Sequence, residues 1–284
     1  MKSLYRSEDG ARLVQREYRR LLDEWPVPNR QLRIPTRQGE TFVVACGDGA
    51  APPLLLFHGG GTTSAMWQDS VAAWAAHFRV YGVDLIGEPG FSAPARPPFS
   101  SDAYALWLDD VLRALSVARA SIVGASLGGW LALDYATRRP EHVDRLALLG
   151  PMGVGRVRTS FLFTTMPLLL FGDRGRQQAL RNIIGRVPPG VVFDDRRLLS
   201  LVQTHFRPRT SPLPVFSDDA LGRLTMPILA IVGDNDAIVD SAETKRRLER
   251  DAARAEVRRL PEAGHRIFDA AAAVLEFLRR PSPV

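Results

Sequence analysis

One stretch, Ala120-Ser121-Ile122-Val123-Gly124-Ala125-Ser126-Leu127-Gly128-Gly129-Trp130, constrains this chain more than any other. A β-branched apolar run stops at Gly-x-Ser-x-Gly and an amphipathic pattern begins at once, so the letters read as strand, sharp turn, helix. Ser126 is expected at the apex with positive φ, its hydroxyl pushed clear of the sheet. Gly124 and Gly128 are expected where a Cβ would meet the neighbouring strand or helix. This is the pattern of a nucleophile elbow. The pentapeptide by itself is weak, because a plain strand-to-helix connection with a serine N-cap carries the same letters. Its weight comes from the strand before it and the helix after it.

The rest of the chain supplies the context that such a turn requires. Val14, Tyr18, Leu21, Leu22 and Trp25 recur at helical spacing, with Glu8 and Asp9 in the first turn and Pro26 ending the pattern. Two short strands follow, around Arg33 and from Thr41 to Ala45, separated by Arg37-Gln38-Gly39-Glu40, and read as a hairpin. From Pro53 the pattern becomes continuous apolar runs: Leu54 to Phe57, Val80 to Val83, Ser121 to Val123, Leu146 to Leu149 and Ile228 to Val232. Such runs mark strands buried on both faces. Between them lie helical periodicities through Trp67, Val71, Trp74 and Phe78, through Tyr104, Trp107, Val111 and Leu115, and through Leu127, Leu131 and Tyr135. A last strand from Val257 to Leu260 and a helix through Phe268, Val274, Leu275 and Leu278 close the pattern. The fold class expected is α/β, a mostly parallel sheet with helices on both faces.

From Met152 to Leu224 the alternation fails. Helical stretches there are punctuated by Pro167, Gly172, Pro188-Pro189-Gly190, Pro208, Pro212 and Pro214, without a strand pattern. An insertion after a strand that ends at Gly150 falls above the carboxyl edge of the sheet, where open α/β sheets bind ligands. The expected organisation is a core domain of residues 1–151 and 225–284 and a helical cap, read as mobile, of residues 152–224.

Composition sets limits. The 284 residues are 45% hydrophobic and 24% charged, the balance of a globular protein, with a net charge of +6. The basic residues are spread along the chain and all but Lys2 and Lys245 are Arg. Pairs such as Arg19-Arg20, Arg246-Arg247 and Arg258-Arg259 sit among acids and apolar residues without interleaved aromatics, and read as a solvated surface rather than a nucleic-acid or anionic-membrane site. Cys46 is the one cysteine, so an intrachain disulfide and a thiolate metal cluster are excluded. Residues 1–9 lack the apolar core of a signal peptide, and Phe161 to Phe171, the longest apolar run, is broken by Thr164, Thr165 and Pro167. A cytoplasmic protein without stable membrane insertion is expected. Its oligomeric state stays open.

A serine hydroxyl is a poor nucleophile unless a base takes its proton, so Ser126 calls for a histidine and an orienting carboxylate. Past the run ending at Gly233 come Asp234-Asn235-Asp236, and past the last strand comes Pro261-Glu262-Ala263-Gly264-His265. The expected triad is Ser126, His265 and one of two acids. Geometry read from the letters leaves Asp234 and Asp236 both open.

These motifs together are similar to those of the α/β-hydrolase superfamily, in its cap-bearing, carboxylesterase-like branch. The likeness runs from about Thr36 to Phe277. His58-Gly59-Gly60-Gly61 resembles the family's His-Gly oxyanion loop, and Asp84-Leu85-Ile86-Gly87-Glu88-Pro89-Gly90-Phe91-Ser92 resembles its Asp-x-x-Gly-x-Gly-x-Ser turn, with Glu88-Pro89 where one residue is usual. The order Ser, Asp, His along the chain is also the family's. The triple Gly resembles the oxyanion motif of hormone-sensitive-lipase-like esterases as well, but Thr62 to Trp67 and the insertion favour the cap-bearing branch. The resemblance favours Asp236, the last position of Gly-x-x-Asp. It implies oxyanion donors at Gly60 and Leu127 and substrate contacts at Gly59, Gly61 and Trp67.

Other candidates have plainer readings. His58 holds the oxyanion loop; His77 and His142 are surface or packing residues; His205 is structural or touches substrate from the cap. Asp84 ties the turn that follows it, Asp109 and Asp110 lie on a helix surface, and Phe161, Phe163, Phe171 and Phe206 are cap core or pocket lining. The five His lack zinc spacing, and no phosphate loop or dinucleotide fingerprint is present, so no cofactor or metal is expected. The function expected is cleavage of a carboxylic ester with a hydrophobic moiety through an acyl-enzyme. Amide, thioester or lactone hydrolysis, cofactor-free lyase, isomerase or perhydrolase chemistry, and a non-catalytic receptor remain open alternatives. A serine at the elbow disfavours the aspartate-nucleophile chemistry found elsewhere on this fold.

Overall fold

A computed structural model describes residues 4–188 and 195–281. Met1 to Ser3 and the expected break at Pro189-Gly190 lie outside the described residues. The chain opens with α1 (Glu8–Asp23), started by Ser7, whose Oγ accepts the Gly10 N–H. The hairpin β1 (Asn29–Thr36) and β2 (Gly39–Cys46) follows. The alternating part runs β3 (Pro53–Phe57), α2 (Gln68–Ala75), β4 (Arg79–Val83), α3 (Ala103–Ala114), β5 (Ala120–Ala125), α4 (Leu127–Arg138), β6 (Val143–Leu149). Among the described residues four α-helices occupy the region expected to form the cap: α5 (Thr159–Thr164), α6 (Gly172–Ile184), α7 (Arg196–His205) and α8 (Asp218–Gly222). Then come β7 (Ile228–Gly233), α9 (Ser241–Asp251), β8 (Ala255–Leu260) and α10 (Ala271–Leu278).

All eight strands form one sheet in the order β1-β2-β4-β3-β5-β6-β7-β8, antiparallel from β1 to β4 and parallel from β4 to β8. The apolar runs are continuous because both faces are covered: Leu55 and Phe57 pack with Trp107, Leu108 and Trp130, whereas Leu54 and Leu56 pack with Tyr18, Trp74 and Val274. The chain leaves β3 toward the face that carries α2 and leaves β5 toward the face that carries α4. A crevice therefore opens at the carboxyl edge between these two neighbouring strands.

Several elements depart from the sequence reading. Arg246 and Arg247, read as lying in a helix or strand, fall in helix α9; charged residues crowd it and Leu248 is its one large buried aliphatic, and Asp240, whose Oδ1 accepts the Glu243 N–H, is its N-cap. The last helix starts at Ala271, so Phe268 precedes it. Asp109 and Asp110 are not a free helix surface: Asp110 takes the Arg37 backbone and guanidinium, and Asp109 accepts the Tyr135 hydroxyl, pinning α3 to the hairpin and to α4. Arg247 likewise leaves the solvated set, buried and donating to Val154 O, Phe216 O and Asp218. Phe163 and Phe171 are 76% and 71% exposed, because a six-residue helix and one 3₁₀ turn offer them too little surface to pack on.

Asp84 stitches the carboxyl edge together. Fully buried, its Oδ1 accepts the Tyr18 hydroxyl at 2.7 Å, the Ser64 hydroxyl at 2.8 Å and the Ser64 N–H at 3.1 Å, while Oδ2 accepts the Phe91 N–H at 3.0 Å. α1, the turn after β3 and the turn after β4 meet on this one carboxylate. Removing it strands buried donors, so Asp84→Ala is expected to lower stability by about 3–5 kcal/mol. Chemical denaturation of both proteins measures this, and a change below about 1 kcal/mol would show that the network is dispensable.

Candidate active site

Ser126 joins β5 to α4 with φ 50° and ψ −110°, a region that an L-residue enters only when its surroundings impose it, at a cost of order 1–3 kcal/mol. Two glycines let the surroundings do so. A Cβ at Gly128 would lie 2.2 Å from Phe57 O, and one at Gly124 2.6 Å from Gly128 O, so strand β3 and helix α4 approach as backbone against backbone. Ser126 N–H donates to Leu149 O at 3.0 Å and Ser126 O accepts the Trp130 N–H at 3.0 Å. The hydroxyl makes no cap bond to α4; it lies 2.8 Å from His265 Nε2. That distance separates an elbow from a serine N-cap.

His265 is carried by the loop after β8 and is buried. Its Nδ1 lies 2.7 Å from Asp236 Oδ2, and Asp236 Oδ1 accepts the N–H groups of Ile238 at 2.7 Å and Val239 at 2.9 Å. Burial would raise the Asp236 carboxyl, but the His265 charge, the hydrogen bond to the ring and the two backbone N–H groups outweigh it and hold the group below the ordinary range. An ionised carboxylate only accepts, so Nδ1 carries the proton and Nε2 is free to accept from the Ser126 hydroxyl. Asp234, the other candidate acid, points away and pairs with Arg259 at 2.6 Å.

Opposite the elbow stands the loop after β3. His58, fully buried, donates Nδ1–H to Gly59 O at 2.9 Å and accepts the Leu85 N–H on Nε2 at 2.9 Å, so it holds the loop. Burial pushes its pKa down, in keeping with a neutral ring. Gly59 is buried and its N–H goes to Met66 Sδ at 3.3 Å; the Gly61 N–H goes to Glu88 Oε2 at 2.7 Å. Both residues shape the loop rather than offer donors to a ligand. Gly60 is exposed, and among the described residues neither its N–H nor that of Leu127 has an acceptor. A Cβ on Gly60 would stand 3.5 Å from Leu127 Cδ2, so the two residues face one another.

Trp67 does not reach this site. It is 2% exposed and packs 5.7 Å from Trp74 in the core beneath α1, because the 3₁₀ turn Ser64–Trp67 aims it at the sheet. His205 also turns inward, its ring against the backbone of Gly10. His77 is exposed, and His142 is half-buried, with Nδ1 on Ala118 O at 2.7 Å. Residues that went unnamed as candidates, Met66, Thr62 and Glu88, hold the glycine loop; the one signal for them was the extra residue in the turn containing Glu88-Pro89. Among the described residues no group of three or more His, Cys, Asp or Glu could hold a metal, and no helix is long and apolar enough to cross a membrane.

The inserted helices close over the histidine. Ile183 O accepts the His265 N–H at 3.3 Å, the backbones of Gly185 and Gly264 touch, and Arg266 makes a bidentate pair with Asp195. Helix α7 rests on α1, where Arg6 N–H donates to His205 O and Arg207 N–H to Leu4 O.

Residues 54–277 match the model of the alpha/beta hydrolase family. The chain belongs to the alpha/beta hydrolase family. This hydrolase is 31% identical to carboxylesterase YbfK of Bacillus subtilis (strain 168) over 245 residues, which cover 81% of this chain and 79% of the relative. It is 30% identical over 276 residues to the uncharacterized carboxylesterase nap of the same organism, covering 91% and 88% of the two chains. Its fold is similar to the crystal structure of carboxylesterase CesB (YbfK) from Bacillus subtilis, with TM-score 0.83, 27% identity, and 95% and 99% of the two chains covered. The naproxen esterase (carboxylesterase NP) of Bacillus subtilis gives TM-score 0.82 at 27% identity, over 96% and 98%.

The two acids can be told apart by substitution. Asp236→Asn is expected to lower kcat on an ester substrate by as much as about 10⁴, through the wrong ring tautomer, and Asp234→Asn to leave it within about threefold. Steady-state rates of the two variants read this, and the reverse ranking would assign the orienting role to Asp234.

Proposed function

We propose that this hydrolase is a carboxylesterase working through a covalent acyl-enzyme. The observation that carries the reading is the unbroken hydrogen-bonded line from Ser126 Oγ through His265 to the buried Asp236. In this mechanism His265 Nε2 takes the Ser126 proton as Oγ attacks the ester carbonyl. The negative charge on the carbonyl oxygen is met by the N–H groups of Gly60 and Leu127. Collapse expels the alcohol, which receives the proton from His265; a water molecule then gives its proton to His265 and attacks the acyl group, and as the bond to Ser126 Oγ breaks His265 returns that proton to Oγ and the acid leaves. Asp236 steadies the imidazolium at each stage. No cofactor is needed by these steps.

The carboxylesterase names of the relatives support ester substrates over amides. Residues 152–224 act as the cap in this reading, and the apolar segment from Phe161 to Phe171 favours a substrate with a hydrophobic moiety. The lone Cys46, buried and raised in pKa by that burial, suits a reducing, cytoplasmic setting.

A fluorophosphonate is expected to label wild type once, at Ser126, and Ser126→Ala to remain folded, unlabelled and slower on esters by several orders of magnitude. Because His265 is the base, kcat/KM should collapse in His265→Ala. Wild-type turnover in either variant would overturn the mechanism, and labelling without turnover on any ester would move the protein out of the esterases.

A further inference from the structure

Glu88 is a buried carboxyl that the steps above leave unused. It sits in the turn after β4, where this chain has Glu88-Pro89 in place of a single residue, and is 6% exposed. Its Oε2 accepts the Gly61 N–H at 2.7 Å, and Gly61 itself has φ +68°. A Cβ on the preceding residue, Gly60, would lie 3.9 Å from the same oxygen, on the side where it also meets Leu127. The Gly60–Gly61 peptide is thus held between Glu88 on one side and the elbow on the other.

The charged and titratable groups that face Glu88 are Arg96 from its own loop, Arg209 from the end of the cap, Tyr104 of α3 and Tyr5 of the N-terminal segment. Neither arginine is within ion-pair distance. Arg96 donates to Gly87 O at 2.9 Å and Arg207 O at 2.8 Å, and Arg209 donates to the Tyr104 hydroxyl at 3.0 Å while stacking 3.7 Å from the Phe99 ring centroid. Burial lifts the Glu88 carboxyl to about 7, with the Gly61 N–H and the two arginines working the other way.

We propose that Glu88 is a positioning residue: by accepting the Gly61 N–H it fixes the Gly60–Gly61 peptide and so the Gly60 backbone whose own N–H, on the adjoining peptide, faces the developing oxyanion, and it serves best uncharged. A carboxylate beside the oxyanion hole would repel the charge that the hole exists to stabilise. The proposal rests on the esterase reading above, with Gly60 as donor.

Rates on p-nitrophenyl butyrate from pH 6 to 9 test it, for wild type, Glu88→Ala and Glu88→Gln, with thermal melts to verify folding. Glu88→Ala is expected to lose about 10- to 100-fold in kcat with KM within about threefold, less than outright loss of an oxyanion donor. Glu88→Gln, whose amide oxygen can accept the same N–H, is expected to recover most of that loss. The ratio of its kcat/KM to that of wild type should rise about tenfold from pH 6 to 9, as only wild type gains a charge there. Wild-type kcat in Glu88→Ala, a Gln variant as impaired as Ala, or a ratio independent of pH would each overturn the proposal. If Glu88→Ala does not fold, the pH ratio of the isosteric Gln variant decides. An active wild type beside such results refutes the Glu88 role alone, whereas a wild type neither labelled by fluorophosphonate nor active on esters refutes the esterase reading and this proposal with it.

Discussion

The site depends on backbone meeting backbone at the elbow. Gly128 lies so close to Phe57 O and Gly124 so close to Gly128 O that any side chain at either position would drive α4 away from β3 and β5. That close approach allows the strained φ of Ser126 to persist and brings its hydroxyl to the histidine. It also sets Leu127, the first residue of α4, opposite Gly60 on the loop after β3. Ser126 and the free N–H groups of Gly60 and Leu127 thereby share one corner. The strain is local, and the sheet around it, buried on both faces, supplies the stability that offsets it.

Two buried carboxyl groups with different tasks flank that corner. Asp84 ties Tyr18 of α1, Ser64 and Phe91 into one knot, so the loops after β3 and β4 cannot shift independently. Glu88, four residues later, spends its hydrogen bond on the glycine loop itself. Asp84 is saturated with donors; Glu88 has one, together with two arginines that are committed elsewhere. Differences of that kind separate a structural carboxylate from one able to influence chemistry.

The helices between β6 and β7 are joined to the body at both ends of the site. Arg266 and Asp195 bind them to the loop of His265, and the pairing of Arg6 and Arg207 with His205 and Leu4 binds them to the N-terminal segment. The N-terminal helix therefore does more than cover one face of the sheet. It supports α7, and through α7 the cover above the histidine, with Glu17 reaching Arg197 at 3.3 Å.

Local chemistry made much of this legible from the letters alone. The strands were visible because burial on both faces demands unbroken apolar runs, and Gly-x-Ser-x-Gly stood out because a tight turn against a strand tolerates little else. The positions of Ser126 and His265, each just past a strand, followed from the same alternation. What depends on direction was not legible. The letters could not say that Asp236 turns inward while Asp234 turns to Arg259, that Trp67 points into the core, that Asp110 and Arg247 are committed to partners, or that Glu88 reaches the glycine loop. Each of these is a contact between residues far apart along the chain or a choice of side-chain direction at a strand end, and periodicity carries no information about either. Sequence determined which backbone could be built; the packing of that backbone decided which of its charged and aromatic side chains would face the serine.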